Sequence, residues 1–245
     1  IRSDKARDVA RHVATEVFNY PEPFGVPNEF FLIAGKKMSS SKGEGASAKD
    51  IVELVPPKIF RLALFGKDIN QQITFDPEGD TIPVLYDQYD KLLESHRAGT
   101  KDDYDRLFVY LRSPEPLPEF VMRFSQVAFL VQMPHMDLEK EAEALKGSAL
   151  IDADTKELAE RAEYASKWLA AYAPEKFVFK LQESLPEAAR TLGAEQKAAL
   201  KELAQYIELQ PTMPSGEALH AEIHKTKQFA AVFAAFLGKD HGPKA

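Results

Sequence analysis

From about residue 98 to its end, the chain has no run of alternating apolar and polar residues, only apolar residues at helical spacing in segments punctuated by proline or glycine. Phe120, Phe124, Val127 and Val131 make one stripe, and Leu158, Ala162, Ala165 and Leu169 a second. Leu200, Leu203 and Ile207 make a third, and Phe229, Val232, Phe233 and Phe236 a fourth. A stripe of this period buries one face of a helix, so this half is expected to be a helical assembly. Its aromatics are spaced for packing, whereas a base-stacking platform needs them exposed along a sheet or groove.

The first 97 residues are mixed. Asp4 to Phe18 carries Val9, Val13 and Val17 four apart, which predicts an amphipathic helix ended by Pro21 and Pro23. Glu29 to Ile33 reads as a short buried strand. Ser47 opens a helix with Asp50 at the third helical position, a capping box with the shorter acid. Pro56-Pro57 interrupts that helix, and Lys58 to Phe65 resumes with Pro57 in its first turn. Ile69 to Phe75 is strand-like, and Asp76-Pro77-Glu78-Gly79-Asp80 is a turn by composition. Beyond it, Ile82, Leu85, Tyr86, Tyr89, Leu92 and Leu93 follow helical spacing. The expected fold is mostly α, with an α/β part over residues 1–97 and an all-helical part over residues 98–245.

A chain of 245 residues suffices for one large domain or two modest ones. The absence of cysteine excludes disulfides, Cys-ligated zinc and thiol catalysis. A net charge of −7 argues against nonspecific nucleic-acid binding, and residues 101–245 are the more acidic part, with 18 Lys and Arg against 23 Asp and Glu. The one basic concentration is the tail, with His220, His224, Lys225, Lys227, Lys239, His241 and Lys244. No apolar run approaches the roughly 20 residues of a bilayer span, and the N-terminus lacks the apolar core of a secretory signal. A cytoplasmic protein without membrane partners is expected.

His220 and His224 lie one helical turn apart, but Glu222 stands at the third position, wrong for H-E-x-x-H and for its inverted form. No metal site is expected there. Asp102, Asp103 and Asp105, like Glu139, Glu141 and Glu143, fall at helix beginnings and faces, where the helix dipole alone favours first-turn acids.

Chemistry concentrates at Ile33 to Gly45, IAGKKMSSSKGEG. Three successive serines, Gly43 and Gly45, with Lys36, Lys37 and Lys42, can bring backbone N–H groups, hydroxyls and ammonium charges to one anion, which is equipment for holding phosphate. It is not a P-loop, because G-x-x-x-x-G-K-[ST] needs two glycines ahead of its lysine.

Lys37-Met38-Ser39-Ser40-Ser41-Lys42-Gly43 resembles the lysine-methionine-serine signature loop of class I aminoacyl-tRNA synthetases. The flanks Pro23 to Ile33, Ser47 to Glu53 and Val55 to Arg61 resemble the class I lysyl-tRNA synthetases in particular. The resemblance implies the end of a Rossmann-type α/β catalytic domain with a stem region over residues 1–97, and an anticodon-binding helical domain over 98–245. It implies ATP with Mg2+, lysine and tRNA(Lys) as substrates. It further implies an ATP site at Lys37, Met38, Ser39, Ser40, Ser41, Lys42 and Gly43, with Lys37 and Lys42 supplying catalytic charge. Met38 would pack near adenine, while Gly43 and Gly45 would let the loop open and close.

Two features depart from the class pattern. Ser40 stands where the common motif has a second lysine, a variant associated with the lysine enzymes that shifts the catalytic ammonium to Lys42. No H-x-G-H occurs, so the chain lacks the other half of a class I site, and with Ile1 as its first residue it reads as a fragment, inactive alone. The rival readings are a glutamyl-type class I synthetase and a non-catalytic tRNA-binding helical module derived from a synthetase.

Overall fold

The computed structural model describes residues 5–22, 24–25, 29, 31–33, 35–37, 48–112, 116–133 and 136–242. Helix α1 (Lys5–His12) runs into a π-helical turn, Val13–Val17. It ends before the prolines, where Asn19 takes a left-handed conformation (φ 46°) and Tyr20 N donates to Ala14 O. The valine stripe forms but faces outward, with Val9, Val13 and Val17 62%, 40% and 70% exposed. Spacing specified the helix, while nothing among the described residues covers its apolar face.

Strands β1 (Phe31–Ile33) and β2 (Lys36–Lys37) precede helices α2 (Ala48–Leu54) and α3 (Pro57–Phe65), and β3 (Ile73–Phe75) follows them. The sheet order is β2-β1-β3. β1 and β2 pair antiparallel, Leu32 opposite Lys37 and Ile33 opposite Lys36, around Gly35 at φ +74°. β1 and β3 pair parallel, with Phe31, Leu32 and Ile33 opposite Ile73, Thr74 and Phe75. Parallel strands joined through two helices are the α/β part the sequence implied.

β3 is shorter than expected, because the Asp68 side chain accepts Asn70 N (2.9 Å) and its carbonyl accepts Gln71 N (2.9 Å), folding residues 68–71 into a turn. Pro57 opens α3 as expected, after an extended Pro56. The expected cap at Ser47 lies outside the described residues.

The remaining chain is helical: α4 (Thr81–Arg97), α5 (Asp103–Leu111), α6 (Phe124–Leu130), α7 (Leu138–Lys146) and α8 (Asp152–Ala171). After a 3-10 turn at Glu175–Phe177 come α9 (Glu187–Arg190), α10 (Ala194–Glu208), α11 (Gly216–Thr226) and α12 (Phe229–Leu237). The fold is mostly α. Among the described residues no helix is long and apolar enough to cross a membrane.

One apolar core runs from Ile33 to Trp168. α4 contributes the six residues its spacing predicted, Ile82, Leu85, Tyr86, Tyr89, Leu92 and Leu93. α8 contributes Asp154, Leu158, Arg161, Ala165 and Trp168, a 4-3-4-3 spacing. Ala162 and Leu169, taken from the sequence as part of that face, flank it half-buried. In α6 the buried residues are Phe124, Val127 and Ala128; Phe120 lies ahead of the helix, outside any helix or strand.

Phe179, Ala189, Ala231 and Ala234 are buried outside this core. α12 thus packs through alanines, leaving Phe236 53% exposed, and the α10 stripe of Leu200, Leu203 and Ile207 is half-buried. The Gln132 side chain bridges the two cores, donating to Phe177 O (3.0 Å) and accepting Phe179 N (2.7 Å). Phe129 meets Phe179 edge-on at 6.0 Å, and Lys239 Nζ donates to Glu175 O (2.8 Å) and Val178 O (3.0 Å).

Candidate nucleotide site at the strand ends

The parallel register sets the carboxyl ends of β1 and β3, Ile33 and Phe75, side by side, with both side chains buried. Ligands of open α/β sheets sit at such ends. β1 leaves through the Gly35 turn into β2. β3 leaves through the turn Asp76–Asp80, closed locally by Glu78 N donating to Asp76 Oδ1 (3.1 Å) and Gly79 N to Asp76 O (3.4 Å).

The sequence placed a supple loop from Ile33 onward, but Lys36 and Lys37 are in strand, their backbone paired to β1. The hairpin sets the Lys36 backbone opposite the strand end, Ile33, and the Lys37 backbone one residue back, opposite Leu32. Met38, Ser39, Ser40, Ser41, Lys42 and Gly43 lie outside the described residues.

The helices that follow both strands converge on α8. Lys58, in the first turn of α3, pairs with Glu157 and, at 2.7 Å, with Glu160. Glu157 also accepts Arg161 Nε at 2.8 Å. The Arg161 guanidinium, 0% exposed, grips Asp90 of α4 with two bonds, 3.0 and 2.5 Å, and donates to Met122 O at 3.0 Å. Burial works to raise the Glu157 pKa, yet the Arg161 and Lys58 charges hold it below the usual glutamate range. Burial opposes the Arg161 charge, and Asp90 and Glu157 outweigh it, raising its pKa. A cavity of about 330 Å³ beside this network is lined by Lys58, Arg112 and Lys156 but also by Asp152, Glu157 and Glu160, so opposing charges give it no preference for an anion.

α8 also reaches the turn after β3. Trp168 Nε1 donates to Pro77 O at 3.0 Å, and just beyond α8 the Lys176 ammonium pairs with Asp80 at 2.7 Å. At the opposite end of α8, Asp154 accepts Glu119 N (2.7 Å), Phe120 N (2.9 Å) and Ile151 N (3.2 Å), together with Lys146 Nζ (2.8 Å). Burial alone would raise its pKa, and these donors hold it low.

Sequence reading missed this network. Its signal was there: Arg161 and Trp168 continue the Leu158 and Ala165 spacing, and a charged residue on an apolar stripe of a helix demands a buried counter-charge. Asp102 caps α5 by accepting Asp105 N (2.9 Å), and Asp105 pairs with His96 Nδ1 (2.5 Å). The His220 and His224 rings are 6.2 Å apart and both contact Phe229. In the basic tail, Lys225 pairs with Glu222, His241 with Asp240, and Lys239 is held by carbonyls.

Residues 2–111 match the family model described as tRNA synthetases class I (K). Over 97% of its length the chain is 27% identical to lysine–tRNA ligase 1 of Methanosarcina acetivorans, covering 50% of that protein. Over the same share it is 28% identical to the lysine–tRNA ligase of Archaeoglobus fulgidus and 29% to that of Thermoplasma acidophilum, covering 47% and 48% of them. The chain spans about half the length of these curated relatives. By these matches, residues 2–111 of the chain are similar to the class I tRNA synthetases of the lysine type.

Proposed function

We propose that this chain is part of a lysine–tRNA ligase, which activates lysine with ATP to lysyl-adenylate and transfers the lysyl group to the terminal ribose of tRNA(Lys). The observation that carries this reading is the hairpin that holds Lys36–Lys37 against β1 at the carboxyl end of a parallel strand pair, in a stretch whose relatives are lysine–tRNA ligases. In the first step the lysine carboxylate attacks the α-phosphorus and pyrophosphate leaves with the electrons of the broken bond. Negative charge grows on the transferring and departing oxygens, and ammonium groups that meet it best in the transition state lower the barrier.

Lys37 and Lys42 supply that charge. Ser39, Ser40, Ser41 and Gly43 add hydroxyl and backbone donors, and Met38 packs near adenine. Magnesium arrives with the triphosphate as part of the substrate. The helical part serves tRNA(Lys).

The test compares the 245-residue chain with the product of the whole reading frame that encodes it, in ATP–pyrophosphate exchange and charging of tRNA(Lys). Lysine-dependent exchange is expected from the whole product, and none from the chain alone, which has no H-x-G-H. Exchange driven by glutamate instead would move the reading to the glutamyl type, and robust exchange by the chain alone would overturn the half-site. Lys42→Ala in the whole product is expected to slow exchange roughly a hundredfold. An unchanged rate removes Lys42 from the chemistry.

A further inference from the structure

The turn Asp76–Asp80 follows the carboxyl end of β3, and its long-range ties come from the helical part of the chain. Pro77 O accepts the indole N–H of Trp168 at 3.0 Å, 91 residues away in sequence, and Asp80 meets Lys176 at 2.7 Å, 96 residues away. Trp168 is 0% exposed and is itself held on two sides, by Phe124 (ring centroids 5.8 Å) and Phe177 (5.0 Å). A buried indole has one donor and no freedom to send it elsewhere, so the position of its ring fixes the position of the Pro77 carbonyl. Lys58, bonded to Glu157 three helical turns earlier on α8, anchors α3 to the same helix. α8 therefore holds both the turn after β3 and the helix that leads into β3.

We propose that the Asp76–Asp80 turn walls the ATP site at the end of β3 and that Trp168 is a positioning residue for the nucleotide: its N–H sets this wall, and Lys176 steadies the far end of it through Asp80. This inference rests on the reading of the strand ends as an ATP site. It makes nucleotide affinity depend on a helix of the 98–245 part that does not touch the reacting atoms. Loosening the wall weakens ground-state binding of ATP and leaves the chemical step alone, which kinetics read as a raised KM with an unchanged kcat.

The test uses the product of the whole reading frame, with ATP and lysine as the varied substrates in pyrophosphate exchange. Trp168→Phe keeps a six-membered aromatic ring and removes the pyrrole ring with its donor. The expected result is a KM for ATP raised roughly fivefold, the size of one net hydrogen bond, with kcat and the KM for lysine within twofold of the unmodified protein. Lys176 is half-exposed, so Lys176→Ala tests the same wall without touching the core. It is expected to raise the KM for ATP about twofold, and Lys176→Arg to restore it. Should Trp168→Phe unfold the protein, the Lys176 pair decides by itself. An unchanged KM for ATP in the folded variants, against a fully active unmodified protein, overturns this inference and leaves the ligase reading standing. No lysine-dependent exchange by the unmodified product overturns both.

Discussion

Arg161→Met is the sharpest probe of how this fold is held. The guanidinium makes two bonds to Asp90, one to Glu157 and one to Met122 O, and it lies 5.1 Å from the centre of the Tyr86 ring. Methionine keeps most of the volume and none of the donors. Glu157 retains Lys58, but the Asp90 carboxylate, 8% exposed by residue, loses the partner that compensates its charge. Removing one member of a buried pair costs about 3–5 kcal/mol, whereas replacing both members with apolar residues of similar size is close to neutral. Against a total stability of about 5–15 kcal/mol, the single change leaves a marginal fold.

Urea unfolding measures this directly, because the chain has one tryptophan and Trp168 lies in the same core. With a slope of about 3 kcal/mol/M, a loss of about 4 kcal/mol lowers the midpoint by roughly 1.3 M. The double variant Asp90→Leu with Arg161→Met is expected to return to within about 1 kcal/mol of the unmodified chain. A single variant that loses less than about 1 kcal/mol, or a double variant no more stable than the single, would show that the uncompensated carboxylate is not what sets the cost.

The same network predicts a response to acid. Glu157 titrates below the ordinary glutamate range when folded, so its contribution is complete above that range and disappears as pH falls through the folded value. The fall in stability on acidification should be shallower in Glu157→Gln, as read from urea midpoints across the acid range. Tyr86 is buried and its hydroxyl has no hydrogen-bond partner among the described residues, so Tyr86→Phe is expected to gain about 1 kcal/mol in the same assay. Lys227 closes α11 in the left-handed conformation at φ 56°, and Lys227→Gly should gain about 1 kcal/mol in thermal unfolding.

The helices were legible wherever the period was strong and the punctuation local. α4 reads directly from Ile82 to Leu93, and α3 starts at the proline that its sequence offers for a first turn. β1 was legible as a short apolar run, but its partner β3 was overlong in the reading because Asp68 can close a turn with its own side chain, a competition that composition does not rank. The stripe on α1 specified a helix and not a buried one, since periodicity states which face is apolar and leaves open what covers it. On α8 the sequence stripe takes in Ala162 and Leu169, each one residue beyond the buried Arg161 and Trp168. Burial of Arg161 depends on Asp90, 71 residues away, and no local pattern contains that distance. At the candidate site the sequence pointed to the Lys37 segment, and pairing across the Gly35 turn is what turned that segment into strand.

The two buried clusters are joined by a narrow isthmus: the Gln132 amide on Phe177 and Phe179, the edge contact of Phe129 with Phe179, and the Lys239 ammonium on the carbonyls of Glu175 and Val178. A load borne by α9–α12, such as a bulky polymer gripping them, would pass to the helices around Arg161 through these contacts at Phe177–Phe179.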